Sequence, residues 1–290
     1  MRRRSFLLGA AVLLATAGVA DARMHAPYRG HRIVPATAAP LDGFTVPAAA
    51  YSFRKLRSNY TGPAARIRRA SDSAETDINF LGFVPGLGAP WDEAAAAAYC
   101  AATTCTVVLW YDQSGNGRNA APAAAANRPP LQFGCLNLTA CMNMGTADFR
   151  FLQVAGFVPT AIQSLSMVAK RQSGSGACQM AVTSTFLWAP TAANTWQLAG
   201  TGSIGLAAAD GAWHAGVGVV NGAASVLRVD SAEQAGTVTA ATSGGTFYPA
   251  MGAASGTACS FVESIQWNST ALSAAERAAL TANQKAFWGF

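Results

Sequence analysis

The fold class is decided by the stretch Trp213-His214-Ala215-Gly216-Val217-Gly218-Val219-Val220, followed by Asn221-Gly222 and then by Ala223-Ala224-Ser225-Val226-Leu227-Arg228-Val229-Asp230. Residues 213–220 and 225–230 each have the composition of a short strand, because valine, leucine and aromatic side chains recur in them at close spacing. An Asn-Gly dipeptide between two such runs is a strong signal for a β-hairpin. The stretch therefore predicts two antiparallel strands joined by a turn.

Runs of the same kind recur on both sides of this hairpin at short spacing. Gly, Asn, Asp and Ser residues, which favour turns, separate them. The further predicted strands are Ala50–Arg54, Ala65–Arg69, Asp77–Phe80, Thr106–Tyr111, Leu165–Lys170, Thr195–Leu198 and Ser260–Trp267. Many short strands with few helices are typical of an all-β sandwich.

Two short helices are predicted beside the strands. Asp92 is a good N-cap for a helix that contains Glu93 and the run Ala94–Ala98. Near the C-terminus, Ser273 and Glu276 have the spacing of a capping box and predict a second helix. The sequence has no internal repeat and no clear linker, so we expect residues 47–290 to form a single domain.

The first 46 residues differ from the rest of the chain. Arg2–Arg4 precede the apolar run Phe6–Ala20, and Ala20-Asp21-Ala22 supplies a small-x-small cleavage site. This arrangement predicts a signal peptide over residues 1–22, and its paired arginines are similar to the twin-arginine export signal. Residues 23–46 are expected to form an extended lead-in. The protein is therefore predicted to be secreted or periplasmic, without a membrane span in the mature chain.

The composition narrows the range of partners. Of the 290 residues, 51% are hydrophobic and 12% are charged, which excludes intrinsic disorder. The formal net charge is +6 and is spread along the chain, so a nucleic acid partner is not expected.

The six cysteines all follow the predicted cleavage site. An even number in an exported protein predicts three disulfides, although six cysteines allow 15 pairings. The short spacings favour Cys100–Cys105 and Cys135–Cys141, which leaves Cys178–Cys259 as a long-range link. No Cys-x-x-Cys pair with a nearby histidine completes a zinc site, so we predict no metal and no cofactor.

Three segments of the first half carry a family resemblance. They are Tyr51–Asp72, Tyr99–Cys105 and Trp110–Ala120, the last with the specific block Tyr-Asp-Gln-Ser-Gly-Asn-Gly. Together they resemble the catalytic domain of α-L-arabinofuranosidase B, a glycoside hydrolase. The resemblance implies a concanavalin A-like jelly-roll β-sandwich, a disulfide between Cys100 and Cys105, and a polysaccharide or glycan partner that contains arabinose.

A second and broader resemblance lies in the other half of the chain. Four short segments look like parts of the laminin G and concanavalin-like superfamily: Asp210–His214, Val229-Asp230, Glu263 and Leu272–Arg277. Both resemblances imply the same jelly-roll fold.

The catalytic pair that the resemblance implies is absent at its expected positions. A retaining glycosidase needs two carboxylates about 5–5.5 Å apart. The family's nucleophile is a Glu in an Asn-Ala-Glu segment after a vicinal cysteine pair, but Gly176–Thr183 holds one cysteine and no acid. The family's acid is an Asp in a Gly-Gly-Asp-Asn-Ser segment, and Met251–Ser255 has alanine there.

The remaining candidates are few. Glu263 and Asp230 are the best catalytic candidates, although an alternating strand with Phe261 and Ile265 on the same face predicts a buried, structural Glu263. Asp112 follows a strand in a turn-forming block, where it either bonds nearby backbone amides or binds a ligand. Trp188 and Trp196 flank a small-residue loop, and each either packs in the core or stacks on a sugar ring.

Three functions are compatible with these observations. The first is a secreted, carbohydrate-interacting β-sandwich that lacks the catalytic acids of the family it resembles. The second is an active α-L-arabinofuranosidase with relocated carboxylates, drawn from Asp148, Asp230 and Glu263. The third is a structural or adhesive envelope protein without a sugar ligand.

Overall fold

The computed structural model of the chain describes residues 38–145, 149–173, 178–182, 185–189, 194–252 and 258–290. The predicted signal peptide and most of the predicted lead-in lie outside these ranges. The strands are β1 (Ala49–Ser52), β2 (Ala65–Arg69), β3 (Glu75–Ile78), β4 (Cys105–Trp110), β5 (Leu131–Leu136), β6 (Thr139–Asn143), β7 (Phe151–Phe157), β8 (Gln163–Ser173), β9 (Cys178–Val182), β10 (Thr185–Ala189), β11 (Thr195–Gly200), β12 (Gly202–Ala207), β13 (Trp213–Val220), β14 (Gly222–Val229), β15 (Ala232–Val238), β16 (Gly245–Gly252) and β17 (Ala258–Asn268). Helices α1 (Glu93–Tyr99) and α2 (Ala274–Trp288) and a short 3₁₀ turn (Ala125–Asn127) complete the described elements.

Two antiparallel sheets form the body of the molecule. The larger sheet has the strand order β15-β14-β13-β8-β17-β6-β5. Strand β1 also pairs with β17, on the same side as β6 but further along the strand. The smaller sheet has the order β12-β11-β10-β9-β16-β7. The disulfide Cys178–Cys259 joins the two sheets. The predicted all-β sandwich is confirmed.

Close packing between the sheets depends on glycines in β13. A Cβ atom on Gly216 would lie 2.4 Å from the Trp196 ring, and one on Gly218 would lie 2.5 Å from Leu198. Trp196 and Leu198 belong to β11 of the smaller sheet, and both are buried. Glycine at these two positions therefore lets large side chains of one sheet rest directly on the backbone of the other.

Helix α2 covers the opposite face of the larger sheet. Leu280 packs there with Val217 and Ile265, which alternate with the residues that face the smaller sheet. The capping box of Ser273 and Glu276 is present at the start of this helix, as predicted. The helix ends at Gly289, whose φ of 76° is the left-handed conformation common at helix C-termini.

Strands β2–β4 and helix α1, from the first half of the chain, build an attached layer. Strands β3, β2 and β4 form a small antiparallel sheet, and Asp92 caps α1 by accepting a hydrogen bond from the Ala95 amide. The disulfides Cys100–Cys105 and Cys135–Cys141 are formed in this half, so all three predicted pairings are confirmed.

Two local predictions need correction. The hairpin of β13 and β14 is present, but Val219 is opposite Val226, so the turn is wider than an Asn-Gly pair alone would make it. Glu263 does not share a face with Phe261. A register shift in β17 places Phe261 opposite Ala169 and Glu263 opposite the adjacent Val168, and adjacent residues of a strand point to opposite faces.

Candidate functional site

Glu263 lies at the centre of a buried polar cluster beneath α2. Its side chain is fully buried, and its Oε2 accepts hydrogen bonds from Arg54 Nε at 2.6 Å and Ser52 Oγ at 3.0 Å. Its Oε1 accepts from Arg54 Nη2 and from Gln284 Nε2, each at 3.0 Å. The Trp288 indole adds a contact of 3.3 Å to Oε2. The carboxylate is therefore enclosed by protein donors on all of its lone-pair positions.

The cluster joins β1 to two consecutive elements near the C-terminus, β17 and α2. Ser52 belongs to β1, Glu263 to β17, and Gln284 and Trp288 to α2. The Arg54 guanidinium also donates to the Leu87 carbonyl and lies 4.9 Å from the centre of the Phe287 ring. A carboxylate without exposed surface cannot contact a glycan, so this geometry fits a fold-stabilising ion pair.

Asp230 occupies a more open position at the end of β14. Its side chain is 22% exposed, and its Oδ2 lies 2.7 Å from His214 Nδ1. The Ala215 amide donates to its Oδ1, and the Lys285 ammonium is 3.8 Å away. Asp230 has a φ of 53°, which an aspartate tolerates in a turn better than most residues.

The imidazole of His214 bridges two acceptors. Its Nε2 lies 2.8 Å from the Ala209 carbonyl, which can only accept, and its Nδ1 faces the Asp230 carboxylate. Burial lowers the pKa of His214, but the hydrogen bonds to Asp230 and Ala209 outweigh it and the net shift is upward. Burial likewise opposes ionisation of Asp230, yet its hydrogen bonds with His214 and the Ala215 amide leave its pKa lowered. These contacts therefore favour the imidazolium form of His214 and the carboxylate form of Asp230.

Asp112 organises the loop that carries the specific sequence block. It is buried, and its carboxylate accepts hydrogen bonds from the backbone amides of Ala50, Ser114 and Arg118 and from the Ser114 hydroxyl. The neighbouring Gln113 is also buried and bonds to the backbone of Ser52, Arg54 and Leu56. We call Asp112 and Gln113 the clasp, because together they tie the loop after β4 to β1.

The two tryptophan candidates have different positions. Trp196 is 3% exposed, rests on Gly216 and contacts the His214 ring edge-on, so it offers no open ring face in this conformation. Trp188 lies on β10, with its backbone in register with Gln179 and Gln197. The placement of its side chain falls outside what the structure describes, as does Asp148.

The other carboxylates are also engaged. Of the 14 acidic residues, Asp21 and Asp148 lie outside the described ranges, and each of the remaining twelve accepts at least one hydrogen bond. Arginines pair with Asp72, Glu75, Asp77, Asp210 and Glu233, and backbone amides or indoles bond Asp42, Asp92, Glu93 and Glu276.

One surface pocket was not anticipated from the sequence. It lies between the turn at Tyr60 and the segment that follows β3, and it has a volume of about 250 Å³. Its lining residues are Lys55, Tyr60, Thr61, Gly62, Asn79, Phe80, Leu81, Phe83 and Ala89. Several are aromatic residues within the segment quoted for the resemblance or just beyond it, but nothing in their spacing distinguishes a pocket wall from a core.

The architecture is that of a β-sandwich of two antiparallel sheets, and comparison with known proteins specifies it further. Residues 41–140 match the family model described as "Alpha-L-arabinofuranosidase B, catalytic". The α-L-arabinofuranosidase B of Emericella nidulans is 40% identical over 86 residues, which are 29% of this chain and 16% of that protein. An α-L-arabinofuranosidase of Hypocrea jecorina is 43% identical over 79 residues, which are 27% of this chain and 15% of that protein.

Solved structures extend the likeness to most of the chain. A GH54 α-L-arabinofuranosidase soaked with a cyclic sulfate inhibitor has a TM-score of 0.65 at 15% identity, covering 83% of this chain and 63% of that one. An arabinofuranosidase complexed with arabinofuranosyl-α-1,2-xylobiose has a TM-score of 0.58 at 16% identity, with the same coverage. The resemblance to the arabinofuranosidase B catalytic domain is thus confirmed. The family model covers the part of the chain that contains the clasp, and the likeness in fold extends to 83% of the chain.

Proposed function

We propose that the protein is a secreted, carbohydrate-interacting β-sandwich that has the fold of the arabinofuranosidase B catalytic domain but not its hydrolytic pair. The relatives are named for action on arabinofuranosides, and one of the similar structures holds an arabinofuranosyl oligosaccharide. That likeness supports a glycan as the partner class. The alignment covers 16% of the length of the Emericella nidulans protein, so the similarity does not carry that protein's activity over to this chain.

The engagement of the carboxylates carries the proposal. Hydrolysis with retention needs one carboxylate free to attack and a second free to exchange a proton with the leaving group. Glu263 is sealed beneath α2, and Asp230 is paired with His214. The other described carboxylates also have hydrogen-bond or ion-pair partners, so no described acid is unpaired.

The predicted export of the protein fits this function. Residues 1–22 have the layout of an export signal, and all six cysteines pair in three disulfides. Disulfides persist in oxidising compartments, which supports a location outside the cytoplasm. Within the described residues, no helix has both the length and the apolar character required to cross a bilayer.

Binding is tested with the purified full chain. Retention on immobilised arabinan and arabinoxylan, together with a glycan array, should give saturable binding that free oligosaccharide competes away. Absence of retention on every polysaccharide, combined with capture of a defined envelope protein, would favour the adhesive alternative.

Hydrolysis is tested separately with a chromogenic α-L-arabinofuranoside. We expect no release of the chromogenic group above the uncatalysed rate, under conditions in which an active arabinofuranosidase converts the substrate fully. Turnover that persists after repeated purification would establish the enzyme alternative. In that case Asp148→Asn and Asp230→Asn are the first variants to measure, because Asp230 is partly exposed and Asp148 lies outside the described ranges.

A further inference from the structure

The pocket beside Tyr60 has the construction of a small polar binding site. The turn that contains Tyr60 and Gly62 forms one wall, and the segment Asn79–Phe83 forms the other. Its volume of about 250 Å³ lies just below the roughly 300–1,000 Å³ of drug-sized ligand sites. The pocket therefore suits one monosaccharide ring rather than a long stretch of polymer.

The aromatic wall is held in place by its own contacts. The Tyr60 hydroxyl donates to the Pro63 carbonyl at 2.8 Å, and the Tyr60 ring meets the Phe80 ring edge-on with 6.3 Å between centres. Gly62 lies directly against the Tyr60 ring, since a Cβ atom there would be 2.5 Å from the hydroxyl oxygen. Hydrogen bonds between Leu81 and Pro90 and between Asp92 and Asn79 fix the other wall. Preformed walls of this kind reduce the entropy lost on binding.

The polar side chains of the pocket have spare hydrogen-bonding capacity. Across the described part of the chain, the side-chain carboxamide of Asn79 makes no hydrogen bond, and the Lys55 ammonium makes neither a hydrogen bond nor an ion pair. The two other lysines of the chain are engaged, since Lys285 approaches Asp230 and Lys170 lies over the Trp213 ring. The adjacent Arg54 is buried in its ion pair with Glu263, so its charge does not serve a ligand in the pocket.

We propose that this pocket binds an acidic sugar residue, a uronic acid within a glycan, with Lys55 as the partner of its carboxylate. Asn79 supplies amide hydrogen bonds to ring hydroxyls, and the Tyr60–Phe80 wall packs against the apolar edge of the ring. The proposal rests on the proposed carbohydrate function and specifies the sugar class that one site selects.

The experiment compares two trisaccharides by isothermal titration calorimetry on the full chain. One is a uronic-acid trisaccharide with free carboxylates, and the other is the same compound with its carboxyl groups reduced to alcohols. We expect the acidic form to bind about tenfold more tightly or better, as a charge-assisted hydrogen bond provides, with a preference that weakens at high salt. Lys55→Met should remove the preference, and Lys55→Arg should keep most of it.

Lys170→Met is the matched control, because it removes the same charge from a different place. Asn79→Ala is a second variant at an exposed position, and it should weaken both trisaccharides without changing the thermal midpoint. The assignment of the pocket would be overturned if Lys55→Met and Lys170→Met lost the preference for the acidic trisaccharide equally, or if Lys55→Met bound both trisaccharides as the wild type does. Binding of arabinan without preference for the acidic trisaccharide would overturn the pocket and leave the proposed function standing. Failure to bind any glycan would overturn both.

Discussion

Arg54 and Glu263, which are 209 positions apart in sequence, form a bidentate ion pair with both side chains fully buried. Isolated buried charges are strongly disfavoured, so each partner compensates the buried charge of the other, and the surrounding donors complete the site. The pair connects the segment after β1 to β17, an interior strand of the larger sheet, under the cover of α2. Its geometry supports a structural role for the acid that the sequence made the best catalytic candidate.

Replacing Glu263 with glutamine tests this role. Glu263→Gln keeps the shape but leaves the Arg54 charge buried without a counter-charge, so the free energy of unfolding should fall by about 3–5 kcal/mol. Glu75→Gln is a matched control, because Glu75 pairs with Arg68 near the surface, where such pairs contribute about 0–1 kcal/mol. Denaturant unfolding of both variants checks the contrast. A Glu263→Gln protein as stable as the wild type would show that the pair does not hold the fold.

The clasp gives a second test. Asp112 accepts four hydrogen bonds through two carboxylate oxygens, and asparagine in its place would turn an amino group toward at least one of the donors. We expect Asp112→Asn to lower the free energy of unfolding by about 2–3 kcal/mol. Asp92→Asn, at the partly exposed N-cap of α1, should change it by only a few tenths, because asparagine caps helices equally well. If Asp112→Asn leaves stability intact but abolishes glycan binding, the ligand-binding alternative for Asp112 is supported instead.

Local sequence signals predicted the elements that they specify directly. The capping box at Ser273, the N-cap at Asp92 and the β-branched run of β13 each determine structure within a few residues, and each is present. The cysteine spacings also sufficed for the three disulfides. Strands such as β15 and β16 were missed. β15 is a mostly exposed edge strand with few apolar residues, and β16 contains Pro249 and two register shifts.

The candidate site was harder to predict because it depends on distant contacts. Nothing near Glu263 in sequence indicates that Arg54 neutralises it, and a single register shift in β17 moves Phe261 to the opposite face. Likewise, the pocket beside Tyr60 exists because the turn after Arg57 meets the segment after β3 in space. Periodicity describes which face of a strand is apolar, but it cannot show which loops converge.

The glycines of β13 provide a packing prediction. Gly216→Ala would place a methyl group 2.4 Å from the Trp196 ring, so the ring or the strand must move. Overpacking of this kind usually lowers the free energy of unfolding by about 1–3 kcal/mol. Gly82→Ala serves as the control, because a Cβ atom there meets nothing within 4 Å. Thermal unfolding of the two variants should separate them, and equal midpoints would mean that the sheets can adjust at Gly216 without penalty.

The His214–Asp230 pair predicts a pH dependence of stability. The folded-state pKa of His214 is raised above its usual value of 6.5, so the imidazolium contribution is complete below that pH and is lost as the pH rises through the folded-state pKa. The pKa of Asp230 is lowered from 3.8, so its contribution is present above that value and disappears only in stronger acid. The pair should therefore stabilise the fold most between about pH 4 and pH 6.5.

Urea unfolding from pH 4.5 to pH 8.5 measures this dependence. We expect Asp230→Asn to remove most of the decline on the alkaline side, and NMR titration of the His214 ring should give a pKa above 6.5 in the wild type and a lower one in the variant. Lys285→Met is a useful companion, because the Lys285 charge opposes protonation of His214, and its removal should raise the His214 pKa further. A wild-type His214 pKa at or below 6.5 would contradict the assignment of both ring nitrogens as donors.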